Sequence, residues 1–293
     1  MKFLSSLLLL AGFLASPVAA EQPAPHPETR FLERDGGRLA YDDSGGAGPL
    51  LIALPGMGDL RAQYRFLRPL LVAAGYRVVS LDVRGQGESS VGWADYSAHA
   101  LGGDVLALMD HLGAPSAVVL GNSFAAGAAL WAAHDAPERV RGTVLLGPVL
   151  RDLPVSPWMR AALWLGFAGP WRTAFWLKYW DSLFPLAPPP DHAEQRERLA
   201  RSLHEPGRML ALETMIGLSK ADTDAILDQV RVPSLVVMGT DDPDFADPAD
   251  EARLITAMLR GESLLLEGAG HYPHVEAPER VAARIVAFLD GLR

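Results

Sequence analysis

The chain has 293 residues, a formal net charge of −9 and no cysteine. Disulfides, thiolate metal sites and a cysteine nucleophile are therefore excluded. Without clustered Lys and Arg, nucleic acid is a poor partner, and 49% apolar residues suffice for the core of an α/β domain of this size.

Met1-Lys2 supplies a short positive start, and Phe3 to Leu14 is apolar except for Ser5, Ser6 and Gly12. Ser16-Pro17-Val18-Ala19-Ala20 closes the stretch with small residues. This is the pattern of a secretory signal over residues 1–20, with cleavage expected after Ala20. The apolar run is short for a membrane span of about 20 residues. An exported protein, periplasmic or secreted, with no stable membrane anchor is expected. Residues 21–28, with Pro23, Pro25 and Pro27, read as a linker.

Strands and helices then alternate. Arg38 to Tyr41 and the apolar run Leu50 to Leu54 read as strands, the second ended by Pro55-Gly56. Tyr64 to Ala74 has helical spacing, and Arg77 to Leu81 is the next strand. Leu101 to Leu112 is an amphipathic helix, followed by the buried strand Ala117 to Leu120 and the helix Ala128 to Ala133. Thr143 to Leu146, Ser234 to Met238 and Ser263 to Leu266 are further strands, and Pro278 to Leu292 closes the chain as a helix. This alternation implies an α/β fold, a mostly parallel central sheet flanked by helices on both faces. Between Pro148 and about Ser219 there is no strand signal, and Trp158, Trp164, Trp171, Trp176 and Trp180 lie there. Residues 148–219 are expected to form a helical cap, with 29–147 and 220–293 as the core. Ligands bind beyond the carboxyl ends of strands in open parallel sheets, so a cap there would wall a pocket with Trp158, Trp164 and Trp176. For most of the cap's aromatics, taken singly, the simpler role is to glue the insertion to the body.

The chemistry is concentrated in Gly121-Asn122-Ser123-Phe124-Ala125-Ala126-Gly127, between a buried strand and a helix. A serine at so tight a turn stands exposed and strained at a helix N-terminus, where free N–H groups favour developing negative charge. A serine nucleophile needs a base, an acid that orients the base, and an oxyanion hole. His271 in Gly268-Ala269-Gly270-His271, after the last strand, is the candidate base. His274 is its rival and reads as a polar loop residue near a helix start. A metal at His271-Tyr272-Pro273-His274 is not expected, since the proline fixes the loop and no carboxylate ligand is evident. The acid is one of the aspartates in Gly239-Thr240-Asp241-Asp242-Pro243-Asp244. Oxyanion donors are expected from the N–H groups of Phe124 and of Met57, in the turn Leu54-Pro55-Gly56-Met57-Gly58.

Together these features resemble the α/β-hydrolase superfamily, in its esterase-like branch with a helical cap, from about Leu39 to the end. Gly121-Asn122-Ser123-Phe124-Ala125 matches the nucleophile elbow, with Ala125 replacing its second glycine. Asp82-Val83-Arg84-Gly85-Gln86-Gly87-Glu88-Ser89 resembles the family's Asp-x-Arg-Gly-x-Gly-x-Ser turn, a structural motif, so Asp82 and Arg84 are assigned no chemistry. Gly239-Thr240-Asp241-Asp242 resembles the Gly-x-x-Asp that carries the acid, which places it at Asp242 with Asp241 as runner-up; Gly270-His271 matches the family's Gly-His. The order Ser, Asp, His is that of the superfamily. Pro55-Gly56 stands where the family has His-Gly, which changes how that loop is held while leaving the backbone donor available. The serine argues against relatives with an aspartate nucleophile, such as epoxide hydrolases and haloalkane dehalogenases.

The resemblance implies hydrolysis of small to medium apolar carboxylic esters or lactones through an acyl-enzyme, with no cofactor and no metal. The alternatives are other chemistry on the same triad, namely C–C or amide and peptide hydrolysis or cofactor-free peroxidation, or a non-catalytic ligand-binding member of the fold. The expected partner is a small ester-like molecule, and nothing in the sequence sets an oligomeric state.

Overall fold

A computed structural model describes residues 28–34 and 36–292. The expected signal sequence, and the linker up to its last residue, lie outside the described residues. Eight strands form one sheet: β1 (Arg30–Arg34), β2 (Gly37–Asp43), β3 (Leu50–Leu54), β4 (Arg77–Leu81), β5 (Ala117–Asn122), β6 (Val140–Leu146), β7 (Ser234–Gly239) and β8 (Glu262–Leu266). Their spatial order is β1-β2-β4-β3-β5-β6-β7-β8. Strand β2 pairs antiparallel with both β1 and β4, and every other pairing is parallel. The sequence reading missed β1. Its Arg-Phe-Leu-Glu-Arg sequence buries only Leu32, as suits an edge strand that faces water.

The helices follow the apolar runs. They are α1 (Leu67–Ala73), α2 (Ala98–His111) and α3 (Ala125–Asp135) in the first half. Helices α4 (Pro157–Phe167), α5 (Arg172–Ser182), α6 (His192–His204), α7 (Arg208–Ile216) and α8 (Ala221–Asp224) follow, then α9 (Pro248–Leu259), α10 (Pro273–Glu276) and α11 (Pro278–Asp290). The helix expected over Tyr64 to Ala74 is split: a 3₁₀ turn at Arg61–Arg65 precedes α1.

Side chains of the central strands alternate between two apolar cores, as a pleat with period two requires. Ile52, Leu54, Val119, Leu145, Val236 and Met238 pack on the side of α2, α3 and α9. Leu51, Ala53, Val118, Leu120, Val144 and Val237 pack on the opposite side, with Leu71 of α1 and Ile285 and Phe288 of α11. Both faces being covered explains why these strands read as unbroken apolar runs.

Between β6 and β7 the chain leaves the sheet and forms a helical insertion. Trp176, Leu177, Trp180, Leu199, Leu203 and Leu212 give it a core of its own, which also takes in Leu60, Tyr272 and Val275 of the body. Because β3, β5, β6, β7 and β8 are mutually parallel, their carboxyl ends open on one edge of the sheet. The residues that follow those ends are Pro55, Ser123, Gly147, Thr240 and Glu267. Topology alone therefore gathers the chemistry-bearing loops under the insertion.

Candidate active site

Ser123 connects β5 to α3 with φ +56°, strained as expected but buried under the surrounding loops rather than exposed. A non-glycine residue in this left-handed region costs about 1–2 kcal/mol, and the surroundings hold it there. The Ser123 N–H donates to Leu146 O at 2.9 Å, and Ser123 O accepts from Val149 N at 3.2 Å and Ala126 N at 3.1 Å. Gly121 must be glycine for this turn to close, since a Cβ there would lie 2.2 Å from Ala125 O. Ala125 itself is accommodated and buried.

Two backbone donors flank the serine. The β3 turn lies against the elbow so closely that a Cβ on Gly56 would fall 3.1 Å from Ser123 Cβ. Among the described residues, the N–H groups of Met57 and Phe124 donate to no protein acceptor. Phe124 is buried, and a buried N–H left without a partner is rare and costly. The turn is held from behind by Gln63, whose Oε1 accepts from Gly56 N at 3.2 Å.

Asp242 and His271 meet at the ends of β7 and β8. His271 Nδ1 is 2.8 Å from Asp242 Oδ2, and both side chains are buried. Asp241, one residue earlier, is exposed and accepts from Thr240 Oγ1 at 3.2 Å. A second carboxylate also faces the ring: Asp244 Oδ2 lies 3.6 Å from His271 Nδ1, and its Oδ1 accepts from Tyr179 Oη of α5 at 2.6 Å. The role of Asp244 beside Asp242 was not legible in the sequence. Burial opposes the charge on His271, but Asp242 and then Asp244 outweigh it and raise the imidazole to about 9. These three residues also form a group with ligand atoms close enough to hold a metal ion.

The surrounding contacts lock the imidazole. Asn122 Nδ2 donates to Leu146 O at 2.8 Å and to His271 O at 3.3 Å, tying the elbow to the histidine loop. His271 N donates to Leu183 O of the insertion at 3.1 Å. Glu276 accepts from Gly270 N at 2.6 Å, and burial first of all pushes this carboxyl up to about 7. Gly147 follows β6 with φ +51°, and a Cβ there would meet His271 O at 2.7 Å and His271 Nδ1 at 3.4 Å. Gly147→Ala is therefore expected to lower stability by at least the 1–2 kcal/mol of the backbone conformation. It should also displace the imidazole, so thermal melting and turnover fall together; an unchanged kcat would contradict this packing.

His274 differs from the sequence reading. It lies in α10, fully buried rather than in a polar loop. Its Nε2 is 2.9 Å from Gln63 Nε2, and its ring stacks on Tyr64 at 5.1 Å. Burial, and then the charges of His271 and Arg65, lower it to about 3, so it stays neutral and supports Gln63 and the Gly56 turn. The Asp82–Ser89 turn is held by hydrogen bonds and ion pairs. Asp82 accepts from Arg61 N at 2.7 Å and Glu88 N at 3.0 Å, and Arg84 grips Asp104 with two bonds of 2.5 and 2.7 Å.

The three tryptophans expected to wall a pocket separate. Trp176 is buried, its Nε1 donating to Gly58 O at 3.2 Å, beside Met57. Gly58 has φ +65°, and a Cβ on it would overlap the Trp176 indole at 2.5 Å. Trp158 and Trp164, both on α4, are instead 86% and 70% exposed. An apolar composition did not reveal which way that helix faces.

Residues 49–278 match the family model described as alpha/beta hydrolase fold. Among curated proteins, the chain is 28% identical to Epoxide hydrolase A of Mycobacterium tuberculosis, over 91% of this chain and 98% of that protein. It is 27% identical to 3-oxoadipate enol-lactonase 2 of Acinetobacter baylyi, over 70% of this chain and 75% of that one. Among solved structures, a bromoperoxidase from Bacillus anthracis superposes with a TM-score of 0.78 at 19% identity, over 90% of this chain and 100% of that one. By the extent of the family match, by the sheet order and by the helical insertion between β6 and β7, this chain belongs to the α/β-hydrolase fold family.

Proposed function

We propose that the protein is a hydrolase of small apolar molecules that cleaves carboxylic esters or lactones with Ser123 as nucleophile. The observation that carries this reading is the left-handed backbone of Ser123 at the β5–α3 turn, in a chain whose β7 and β8 loops bring Asp242 to His271. A constrained φ at a functional turn is a common use of stored strain. Ser123 Oγ attacks the carbonyl carbon while His271 takes the hydroxyl proton. The Met57 and Phe124 N–H groups receive the developing oxyanion. Asp242 orients the imidazole and stabilises its charged form. His271 returns the proton to the leaving oxygen, and water, deprotonated in turn by His271, releases the acid. The relative named as an enol-lactonase cleaves a cyclic ester by its name, which agrees with this reading.

A second reading is favoured by the extended match to the relative named as an epoxide hydrolase and by the two carboxylates, Asp242 and Asp244, at one imidazole. In it, water activated by His271 opens an epoxide and Ser123 forms no covalent bond. A panel of p-nitrophenyl esters, lactones, terminal epoxides and a bromide-dependent peroxidation assay separates the readings. Ester or lactone turnover that exceeds epoxide turnover, with a burst of p-nitrophenol, is expected. Epoxide turnover without ester turnover would replace the first reading by the second. A chelator is expected to leave ester turnover unchanged, and its loss would point to a cation at Asp242, Asp244 and His271.

The raised imidazole sets the pH dependence. At neutral pH His271 holds its proton, and the base form accumulates as pH rises through about 9. The kcat/KM for a neutral ester should therefore rise with pH to a limb near 9. Asp244→Asn removes one of the charges that favour imidazolium, so it should move the limb to lower pH. A limb that stays in place would mean that Asp244 does not act on the ring.

A further inference from the structure

Helix α4 carries Trp158, Ala161, Ala162 and Leu165 at positions i, i+3, i+4 and i+7, the spacing that forms one helical stripe. In a soluble protein such a stripe normally faces the core. Here all four residues are exposed, and the burial on this helix lies on its other side, at Gly166, Phe167 and Leu163. Trp164 on the same helix is 70% exposed, and Trp171, at the start of α5, is 56% exposed. The turn between the two helices is fixed by Trp171 Nε1 donating to Leu165 O at 2.9 Å. The face is therefore a formed surface rich in tryptophan, the side chain that favours the boundary between water and lipid.

The segment that carries this face, residues 153–180, bears charges of one sign. No acidic residue lies between Asp152 and Asp181, whereas Arg160, Arg172 and Lys178 do, in a chain of net charge −9. Arg160 and Lys178 are exposed, and Arg172 is half-exposed while pairing with Glu213 at 3.2 Å. A second copy docked face to face by a two-fold axis would oppose these cations to themselves. Anionic headgroups would pair with them. We propose that the outward face of α4, with Trp171 at its edge, docks the protein on an anionic lipid bilayer. This lays the apolar stripe along the interface and leaves the exposed Arg160 and Lys178, off the stripe, to reach the headgroups as the polar side of an interfacial helix does. The surface is distinct from the residues of the reaction, and its test needs no turnover.

The protein is mixed with sedimenting vesicles of phosphatidylglycerol and phosphatidylcholine, or of phosphatidylcholine alone, at low and high salt. The expected result is partition into the anionic vesicles with a blue shift of tryptophan emission, weakened by salt. Ala162→Glu with Leu165→Glu should lower that partition at least tenfold with the circular dichroism spectrum unchanged. Arg160→Glu alone should lower it several-fold and serves if the double variant does not fold. Three results would overturn the proposal: no partition; equal partition into neutral vesicles; or partition that neither variant alters, which would place the lipid contact elsewhere in the chain. Sedimentation velocity supplies the remaining outcome. A dimer that the double variant turns into a monomer, without vesicle binding, would make this face a self-interface instead.

Discussion

Replacing Ser123 by alanine is expected to lower ester turnover by several orders of magnitude while leaving the fold intact. Removing a nucleophile that acts as a unit with its base loses nearly the whole of their joint contribution. The small residual rate would come from the oxyanion donors and from binding alone. The variant should melt at or above the temperature of the parent, because alanine adds no bulk to the elbow and the hydrogen bonds at Ser123 N and O belong to the backbone. The left-handed φ remains a cost in both chains. Burst kinetics should vanish along with steady-state turnover. A variant that retains ester hydrolysis within a few-fold would show that the strained serine is not the attacking group.

The second large effect is expected at Asp242. Asp242→Asn keeps the shape of the side chain but takes away the charge 2.8 Å from His271 Nδ1. It also offers an amide that can hold the imidazole in the wrong tautomer, which costs about 10⁴-fold when a triad acid is so replaced. The loss should fall on kcat, since the transition state is where imidazolium forms. Asp241→Asn should change turnover little, because that side chain is exposed and bonds to Thr240. The two aspartates are adjacent in sequence and separated by where the chain turns after β7. If Asp241→Asn proved the more damaging, the assignment of the acid would move to that residue.

Much of this arrangement is written in local sequence. The central strands are legible because a sheet covered on both faces turns them into apolar runs, as at Leu50 to Leu54 and Ser234 to Met238. The elbow is legible because Gly121 and Ser123 sit between a strand and a small-residue helix, where only a tight turn fits. What was not legible depends on distant partners. His274 reads as a loop residue until Gln63, 211 positions away, is brought against it. Asp244 has no signature of its own; it faces His271 only because the turn after β7 folds both carboxylates toward the end of β8. The glycine at 147 is ordinary in sequence and indispensable in space, where it makes room for the His271 carbonyl. Tryptophan content showed that the insertion is aromatic. It did not show that Trp176, on the more polar α5, packs on the Gly58 turn while Trp158, on the more apolar α4, faces solvent.

The central claim is a covalent role for Ser123, and labelling with a fluorophosphonate, followed by proteolysis and mass spectrometry, tests it most directly. The account predicts a single adduct on the peptide that contains Gly121-Asn122-Ser123-Phe124, localised to Ser123. Labelling should quicken as pH rises toward 9 and be lost in Ser123→Ala. A protein that hydrolyses esters or epoxides yet takes no label, or takes it on another residue, would contradict the claim.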